Sequence, residues 1–407
     1  MNIDFSAVAH SKQEDARHVL DQLNKIDSAY SSGDKKLAST LCKENRAKIT
    51  KSIEELIGTS LERQIEIGKF PNGVWLSTCY KVLSEFAEPF VPKNHFDQEF
   101  FELIKTTRAT DYAGLFKIVW NSVSAFKKQY PKDYKRGFEN YFSTFPLWGA
   151  LNPERGDYEA LKGRAVVLKQ HSYDFVSLYR RFPDYLSKRT LTAILLNWLY
   201  IDTGELTEVK SIFPDYYEPD IFPDNKDDIF VDVGAYTGDS IQNYVKYYGT
   251  DYKKIYAYEI TRNSCEKMSL NLKDLHDVEI RRKGVGEKAG EMFLSASASD
   301  PSANQISDGA SGEHIDIVAL DDDIPEGFTF LKMDIEGAEY NAIKGCEQII
   351  RRCRPKLAIC VYHGYDDIWR IPALIDRIEP NYTFYLRHNG GNLVPTEFVL
   401  LCKPDEK

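Results

Sequence analysis

Three carboxylates follow one predicted strand in the C-terminal half of the chain, and a histidine follows the next strand. Asp334, Glu336 and Glu339 lie within six positions, and His363 ends the next strand. A histidine in a crevice can remove the proton of a hydroxyl group, which typically changes a rate by ~10²–10⁴. If the two strands are neighbours, the pattern predicts that His363 is a general base aided by Asp334, with Glu336 in the same site.

Two other roles are open for these acids. Glu336 and Glu339 are three residues apart on the first turn of the following helix, where capping and the helix dipole stabilise negative charge. The turn could also bind a hard divalent cation such as Mg²⁺ among Asp334, Glu336 and His363. The sequence therefore leaves acceptor orientation, helix capping and a metal as alternatives, and no metal ligand is assigned.

A glycine-containing bend follows the first predicted strand of this half. Gly234 leaves the strand in a tight turn, and Gly238 lets a ligand approach the next helix without meeting a Cβ atom. Roughly twenty residues later, Glu259 ends the second strand, where a carboxylate can accept hydrogen bonds from both ribose hydroxyls of an adenosine. The predicted cofactor-binding residues are therefore Asp232, Gly234, Ala235, Thr237, Gly238, Asp239 and Glu259.

The charge of this bend distinguishes two adenosine cofactors. A dinucleotide brings a pyrophosphate onto the helix N-terminus, which favours G-x-G-x-x-G and disfavours a nearby anion, at a cost of roughly a few kcal/mol. This bend lacks the second glycine and carries Asp239. S-adenosylmethionine has no phosphate and is positively charged at its sulfonium and amino groups, which suits Asp232 and Asp239. Arg282 and Lys283 are expected near its adenine ring. An NAD-type oxidoreductase is the alternative.

Short strands that alternate with helices must position these residues. Such alternation with β-branched strand cores is typical of a doubly wound sheet covered on both faces. The turn at 389–392 permits a hairpin but no helical crossover, so the last strand should be antiparallel to its neighbour. The seven predicted strands are 229–234, 254–260, 278–285, 329–335, 356–362, 382–388 and 396–402, with helices near 239–248, 262–275, 338–352 and 366–378.

The rest of the chain has a different pattern. Up to about residue 215 apolar residues recur at helical spacing, so this part is predicted to be all-helical. Residues 211–228 carry three prolines and several aromatic residues, and are predicted to form an extended connector across a pocket. The Ser- and Gly-rich stretch 295–312 is predicted to be a lid or a flexible insertion. We expect a helical domain at 1–165, a lead-in and connector at 166–223, and the sheet domain at 224–407.

Composition excludes several classes of protein. The net charge is −10, and no concentrated basic face suggests nucleic-acid binding. The seven cysteines are scattered without a C-x-x-C pair, which argues against a disulfide framework and a structural zinc site. The N-terminus does not resemble a secretory signal, and no apolar stretch is long enough to span a bilayer. We therefore expect a cytoplasmic protein without a membrane span.

Several of these segments together resemble the FkbM-type methyltransferase family. They are the bend at 229–240, Glu259 with Asn271 near the end of the following helix, the turn at 331–345, the strand end at 357–367, and the terminal 385–404. Asp334-Ile335-Glu336-Gly337-Ala338-Glu339 is the most specific of them. A mostly parallel seven-stranded sheet with one antiparallel strand is also the layout known for class I methyltransferases, which are Rossmann-like.

The resemblance implies both cofactor and reaction. It implies methyl transfer from S-adenosylmethionine to oxygen on an acceptor such as a surface-glycan sugar or a macrolide-type natural product. By position, Asp232, Gly234, Gly238 and Glu259 correspond to the family's cofactor motifs. Ile260 stands where the family tends to carry a proline, so the loop after Glu259 should differ in shape. A non-catalytic interaction protein on the same scaffold is a further alternative, and the N-terminal helices could form a homo-oligomer.

Overall fold

The structure is a computed structural model that describes residues 15–26, 29, 35–57, 75, 79, 83, 90–294, 306–307 and 313–405. The chain divides into two compact units. The first comprises Met1–Ile118 and Ala165–Arg180, and the second Val119–Arg164 and Arg181–Lys407. The three-part division expected from the sequence stays a prediction. Within the described ranges, none of the helices combines the length and hydropathy needed to cross a bilayer.

The described residues of the N-terminal half are mainly helical, as predicted. Residues 15–26 are helical, and their apolar stripe contributes to a core that includes Leu23, Ile49, Ile53 and Trp75. The further helices are Lys35–Ile57, His95–Ala109, Tyr112–Gln129, Pro131–Tyr134, Tyr141–Thr144, Glu159–Gln170, Ser172–Arg181, Tyr185–Tyr200 and Gly204–Glu208, with a π-helical turn at Lys135–Asn140 and a 3₁₀ turn at Pro146–Trp148.

One short hairpin corrects the all-helical prediction. Leu151–Asn152 pairs antiparallel with Asp157–Tyr158. Asn152 accepts a hydrogen bond from the Arg155 amide through its side chain at 3.3 Å, and Gly156 closes the turn with φ +75°. Asparagine and glycine favour turns for these reasons. Residues 152–156, within the part predicted to be all-helical, therefore form the turn of a hairpin.

All seven predicted strands of the C-terminal half form one sheet. They are β1 (Ile229–Val233), β2 (Lys254–Tyr258), β3 (Val278–Arg281), β4 (Phe330–Met333), β5 (Lys356–Cys360), β6 (Tyr382–His388) and β7 (Phe398–Pro404). Their spatial order is β6-β7-β5-β4-β1-β2-β3. The pairs among β1–β5 are parallel, whereas β7 is antiparallel to both β5 and β6. The predicted fold class, the neighbouring β4 and β5 and the antiparallel last strand are confirmed.

Helices cover this sheet, which explains why its central strands are continuously buried. They are Asp239–Tyr248, Arg262–Asn271, Leu320–Asp323, Glu339–Lys344, Glu347–Cys353 and Asp367–Ile378. The single helix predicted near 338–352 is divided at Gly345. A Cβ atom on Gly345 would lie 2.0 Å from the carbonyl oxygen of Gly286, so the chain must carry glycine at this close approach.

A second, four-stranded sheet corrects another prediction. Its strands are Gly284–Val285, Gly290–Leu294, Ile306–Ser307 and Glu313–Val318. The predicted strand 278–285 is thus split between two sheets. The stretch 295–312, predicted to be a lid or a flexible insertion, lies outside the described residues except for 306–307, which form a strand.

Candidate active site

The parallel strands bring the predicted site residues to one edge of the sheet. In the register, Val233 of β1 pairs with Tyr258 of β2 and with Met333 of β4, and Met333 pairs with Ile359 of β5. The residues that follow these positions therefore leave the sheet at the same edge, where open α/β sheets bind their ligands. The bend after β1, Glu259 after β2, the acidic turn after β4 and His363 after β5 all lie there.

Gly234 makes the bend after β1 possible. Its φ is +80°, and a Cβ atom would lie 1.8 Å from the carbonyl oxygen of Asp334. The amide groups of Gly234 and Ala235 both donate to the Tyr258 carbonyl at 3.0 Å. The bend therefore turns sharply against both neighbouring strands, and no side chain fits at position 234.

The environment of Gly238 differs from the sequence interpretation. With φ +83°, a Cβ atom there would lie 2.9 Å from Met268 Cγ and 3.0 Å from Leu272 Cδ1. Gly238 thus allows the bend to pack on side chains of the neighbouring helix, and these atoms occupy the place we expected for a ligand. Thr237, also in the bend, accepts a hydrogen bond from Asn271 Nδ2 through its carbonyl at 2.9 Å. Asp239 is exposed at the first residue of the helix.

Glu259 is held rigidly opposite the bend. Its Oε2 accepts from the Tyr236 amide at 3.1 Å, and its Oε1 accepts from the Thr261 amide at 2.7 Å. The residue is 9 % exposed, and this burial raises the pKa of its carboxyl group. An ionised carboxylate has about four acceptor sites, so capacity remains for two ribose hydroxyls.

Asp232 lies below the bend, paired with a lysine that sequence reasoning did not assign to the site. Its Oδ1 is 3.0 Å from Lys332 Nζ, and its Oδ2 accepts from the Ser240 hydroxyl. Both charged residues are almost fully buried. Lys332 Nζ also donates to the Gly234 carbonyl at 2.8 Å. Asp232 therefore supports the bend from inside, whereas Asp239 is the acid that the bend presents to solvent.

Glu339 fixes the shape of the acidic turn. Its Oε1 accepts from the Ile335 amide at 2.8 Å, and its Oε2 accepts from the Gly337 amide at 3.0 Å. Glu336 and Gly337 within this turn have φ values of +54° and +96°. Glu339 is fully buried and holds the turn that precedes the helix, whereas its role as a helix cap stays a prediction. Glu336 remains 40 % exposed at the side chain.

His363 is surrounded by the carboxylates of this turn. Its Nδ1 is 2.9 Å from Glu339 Oε1, and its Nε2 lies 3.4 Å from Asp334 Oδ1 and 3.5 Å from Glu336 Oε2. Burial alone would lower the pKa of this imidazole, but the three carboxylates, with Glu339 first, raise it to about 10. His363 is therefore a cation at neutral pH.

This charge state does not fit the predicted base role of His363, because an imidazolium has no lone pair to accept a proton. It also bears on the metal alternative. Asp334, Glu339 and His363 offer ligand atoms within 4.8 Å of one another. The 2.9 Å contact between His363 and Glu339 is, however, a hydrogen bond. The carboxylates of Asp334 and Glu339 therefore face a protonated His363 ring, and a divalent cation would have to displace the protons of this ring.

The titration of His363 predicts how stability depends on pH. Its pKa is higher in the folded protein, about 10, than in the unfolded chain, about 6.5. Its contribution is then complete below about pH 6.5 and is lost as the pH rises through about 10. In urea denaturation between pH 6 and 10, the stability difference between wild type and His363→Gln should shrink with rising pH. The exposed His314→Gln is the control, and an unchanged difference would contradict the assignment.

Two tyrosines and one further acid join the cluster. Tyr216, from the connector, donates its hydroxyl to Asp334 Oδ2 at 2.8 Å, and Tyr362 lies 3.5 Å from Oδ1. Burial opposes the ionisation of Asp334, but His363, Lys332 and Tyr216 outweigh it and keep its pKa below the usual value. Burial, then Asp334 and Asp215, raises the pKa of Glu397 to about 7. The aromatic connector signalled Tyr216, whereas nothing in the sequence pattern singled out Glu397.

The basic pair expected near the adenine ring has partners within the fold. Lys283 Nζ lies 2.7 Å from Asp323 Oδ1, and Arg282 lies 2.7 Å from Glu313 Oε1. These ion pairs connect the end of β3 to the helix Leu320–Asp323 and to the strand Glu313–Val318. Arg282 thus joins the end of β3 to the second sheet, and Lys283 joins it to the helix.

A family model matches the part of the chain that contains this site. A family model described as the methyltransferase FkbM domain matches residues 232–386, which include the bend, the acidic turn and His363. No curated protein matches the chain.

Solved structures similar to this chain include several methyltransferases. A methyltransferase FkbM from Methylobacillus flagellatus KT is 24% identical, with 66% of this chain and 70% of that chain covered and a TM-score of 0.50. An rRNA methylase from Streptococcus thermophilus is 16% identical, with coverages of 47% and 100% and a TM-score of 0.30. Aeropyrum pernix fibrillarin with natively bound S-adenosyl-L-methionine is 8% identical, with coverages of 44% and 67% and a TM-score of 0.29. The first of these shares the fold.

Proposed function

We propose that this protein transfers the methyl group of S-adenosylmethionine to a hydroxyl group of its acceptor, in keeping with the match of residues 232–386 to the FkbM methyltransferase model. The observation that carries the proposal is the Glu259 carboxylate, which two backbone amides hold beside the glycine bend. A fixed, buried acceptor of hydrogen bonds at this position suits a ribose.

The charges around the bend support S-adenosylmethionine over a dinucleotide. Asp239 is exposed at the start of the helix, and the backbone of Asp334 lies against Gly234, with its carboxylate in the neighbouring acidic turn. Negative groups at these positions attract the sulfonium and ammonium charges and would repel a pyrophosphate. Glu259 would bind the ribose, and the bend from Gly234 to Asp239 would lie along the amino-acid part of the cofactor. When bound, this cofactor supplies an electrophilic methyl group.

The acidic turn is suited to orient the acceptor. Asp334 can accept a hydrogen bond from the acceptor hydroxyl, and Glu336 lies partly exposed beside it. The positive charge of His363 keeps Asp334 ionised and compensates the negative charge of the turn. Holding the hydroxyl oxygen close to the methyl group removes roughly 7–11 kcal/mol from a barrier when alignment is good. We propose that Asp334, Glu336 and His363 act mainly in this way.

Aromatic rings on the acceptor side support a carbohydrate or natural-product substrate. The Tyr141 ring lies 5.1 Å from Phe145 and 5.5 Å from Trp148, measured between centroids. Leu147 lies between Phe145 and Trp148 in the chain, and its Cδ2 atom would be 3.8 Å from a Cβ atom on Gly337, so this group lies beside the acidic turn. Pockets that combine aromatic walls with a few polar groups are usual for small organic ligands.

Cytoplasmic location and homo-oligomer formation stay predictions.

Mass spectrometry of the purified protein tests the proposal directly. Copurified S-adenosylmethionine or S-adenosylhomocysteine is expected, and in a thermal-shift assay S-adenosylhomocysteine should raise Tm whereas NAD should not. Binding of NAD instead would favour the oxidoreductase alternative. Retained cofactor affinity without turnover of sugar nucleotides, glycans or macrolides would favour the non-catalytic alternative. Activity that survives a chelator would exclude the metal-dependent variant.

Glu259→Gln is expected to weaken binding of S-adenosylhomocysteine about 10- to 100-fold. The reason is that hydrogen bonds to a charged group contribute about 1.5–3 kcal/mol, and the amide can no longer accept from both hydroxyls. Isothermal titration calorimetry measures the effect. Glu266→Gln, on the exposed face of the following helix, is the matched control. Equal affinities for the two variants would show that Glu259 does not contact the ribose.

A further inference from the structure

Glu397 immediately precedes β7 at the edge of the sheet that carries the site. In the antiparallel register Cys360 pairs with Val399, and the Val361 amide donates to the Phe398 carbonyl at 3.2 Å. The next position outward places Glu397 opposite Tyr362, whose hydroxyl faces Asp334. Glu397 therefore lies on the side of the acidic turn that β7 forms.

The conformation of Glu397 is unfavourable for a glutamate. Its φ is +52°, in a region that non-glycine residues rarely occupy. The Asn389 amide holds this conformation by donating to the Glu397 carbonyl at 2.9 Å. The carboxyl group is also partly buried beside two other acids, Asp215 and Asp334. Strain combined with clustered like charges is common where a residue serves a function.

A second observation indicates that a ligand atom belongs at this place. Nε2 of His363 lacks a hydrogen-bond partner within the described part of the chain, although the residue is only 2 % exposed. Buried polar atoms are rarely left without a partner. This nitrogen points towards Asp334 and Glu336, and the charges of His363 and Asp334 both act on Glu397.

The three candidate proton acceptors differ in their titration. His363, with a pKa of about 10, is already protonated at neutral pH. Asp334 has a pKa below the usual value and is therefore a weak base. Glu397, with a pKa of about 7, changes charge near neutral pH, which suits proton transfer. Several titratable groups interact electrostatically with Glu397: Asp215, Asp334, His363, Tyr141, Tyr216, Tyr362 and Cys360.

We propose that Glu397 accepts the proton of the acceptor hydroxyl during methyl transfer, an inference that rests on the proposed function. The O–H bond breaks and its proton moves to a carboxylate oxygen of Glu397. The hydroxyl oxygen forms a bond to the methyl carbon, and the C–S bond breaks with its electron pair on sulfur. The products are a methyl ether, neutral S-adenosylhomocysteine and protonated Glu397, which then returns its proton to water.

Proton release on cofactor binding tests this without any acceptor. The cationic cofactor should favour the ionised form of Glu397, so at pH 7 wild type should release up to about half a proton. Isothermal titration calorimetry of S-adenosylmethionine in buffers of different ionisation enthalpy measures this release. Glu397→Gln should abolish it, whereas the exposed Glu154→Gln should not. Equal release from wild type and Glu397→Gln overturns the proposal, whereas no binding by wild type overturns the proposed function instead.

Turnover provides the second test, with tritiated S-adenosylmethionine and methyl glycosides, UDP-glucose and a macrolide as acceptor probes. The wild-type rate should rise with pH through about 7. Glu397→Gln should lower kcat by ~10²–10⁴ and abolish this rise of the rate with pH. Glu397→Gly relieves the backbone strain, so it should be inactive yet melt no lower than wild type. A rate of Glu397→Gln that still rises near pH 7 contradicts the proposal. If no probe is methylated, the proton release measured by calorimetry tests the proposal by itself.

Discussion

Lys332→Met should lower the free energy of unfolding by about 3–5 kcal/mol, because it leaves the buried charge of Asp232 without its partner. The ammonium group of Lys332 is 3.0 Å from Asp232 Oδ1 and 2.8 Å from the Gly234 carbonyl. Burial alone would lower the pKa of Lys332, but Asp232 and Asp334 raise it above its usual value. Lys332 is therefore charged at neutral pH. Burial raises the pKa of Asp232, but Lys332 and the Ser240 hydroxyl oppose this shift and favour the ionised carboxylate, so removing Lys332 is costly.

The same substitution should also weaken cofactor binding. Loss of the hydrogen bond to the Gly234 carbonyl frees the bend that would bind S-adenosylmethionine. Urea denaturation at pH 7 measures stability, and calorimetry with S-adenosylhomocysteine measures affinity. The exposed Lys253→Met is the matched control. In the double variant Asp232→Leu/Lys332→Met, stability should recover substantially, since apolar replacements of buried ion pairs are often tolerated. If Lys332→Met alone changes the free energy of unfolding by less than about 1 kcal/mol, Asp232 and Lys332 do not form a buried ion pair.

Much of the sheet could be predicted from the sequence because its signal is local. Each strand of the main sheet is a short apolar run bounded by turn residues, and the helices between them have their own periodicity. The antiparallel β7 followed from the short turn at 389–392. The second sheet was not predicted because Gly284–Val285 and Ile306–Ser307 are only two residues long, too short for a period to be recognised.

The site was predictable where function depends on position along a strand, and unpredictable where it depends on pairing. Glu259 and the acidic turn follow their strands directly, so sequence order located them. The role of Lys332 follows only from the strand register, because it pairs with Asp232 on the neighbouring strand. The charge of His363 depends on Glu339, which is 24 residues away in the sequence, and no local sequence pattern reveals its contact with the imidazole ring.

Gly238 and Glu397 illustrate the same limit. The glycine spacing indicated a close approach at Gly238 correctly, but the approaching atoms belong to Met268 and Leu272 and not to a ligand. Glu397 precedes the last strand in sequence like any polar residue. Only the antiparallel return of β7 places it beside Tyr362 and the acidic turn. Long-range pairing thus decides which of several acids share one site.

Gly234→Ala is expected to abolish cofactor binding and to destabilise the protein strongly. The new methyl group would lie 1.8 Å from the Asp334 carbonyl oxygen, which belongs to backbone and cannot rotate away. Either the bend or the acidic turn must move, and the proposed site depends on both. The added cost of a left-handed φ for alanine is only about 1–2 kcal/mol, so the contact dominates.

Gly249→Ala separates these two effects. Gly249 has a φ of +83°, close to the +80° of Gly234, but a Cβ atom there would meet nothing within 4 Å. Gly249→Ala carries a backbone cost of its own, because φ +83° with ψ −163° is a conformation that glycine alone commonly adopts, but it should leave binding of S-adenosylhomocysteine unchanged. Denaturation curves and calorimetry of both variants measure the difference. Because Gly249→Ala introduces backbone strain without a steric contact, a loss of cofactor binding confined to Gly234→Ala comes from the contact between the bend and Asp334. Equal behaviour of the two alanine variants would mean that the bend does not touch the acidic turn.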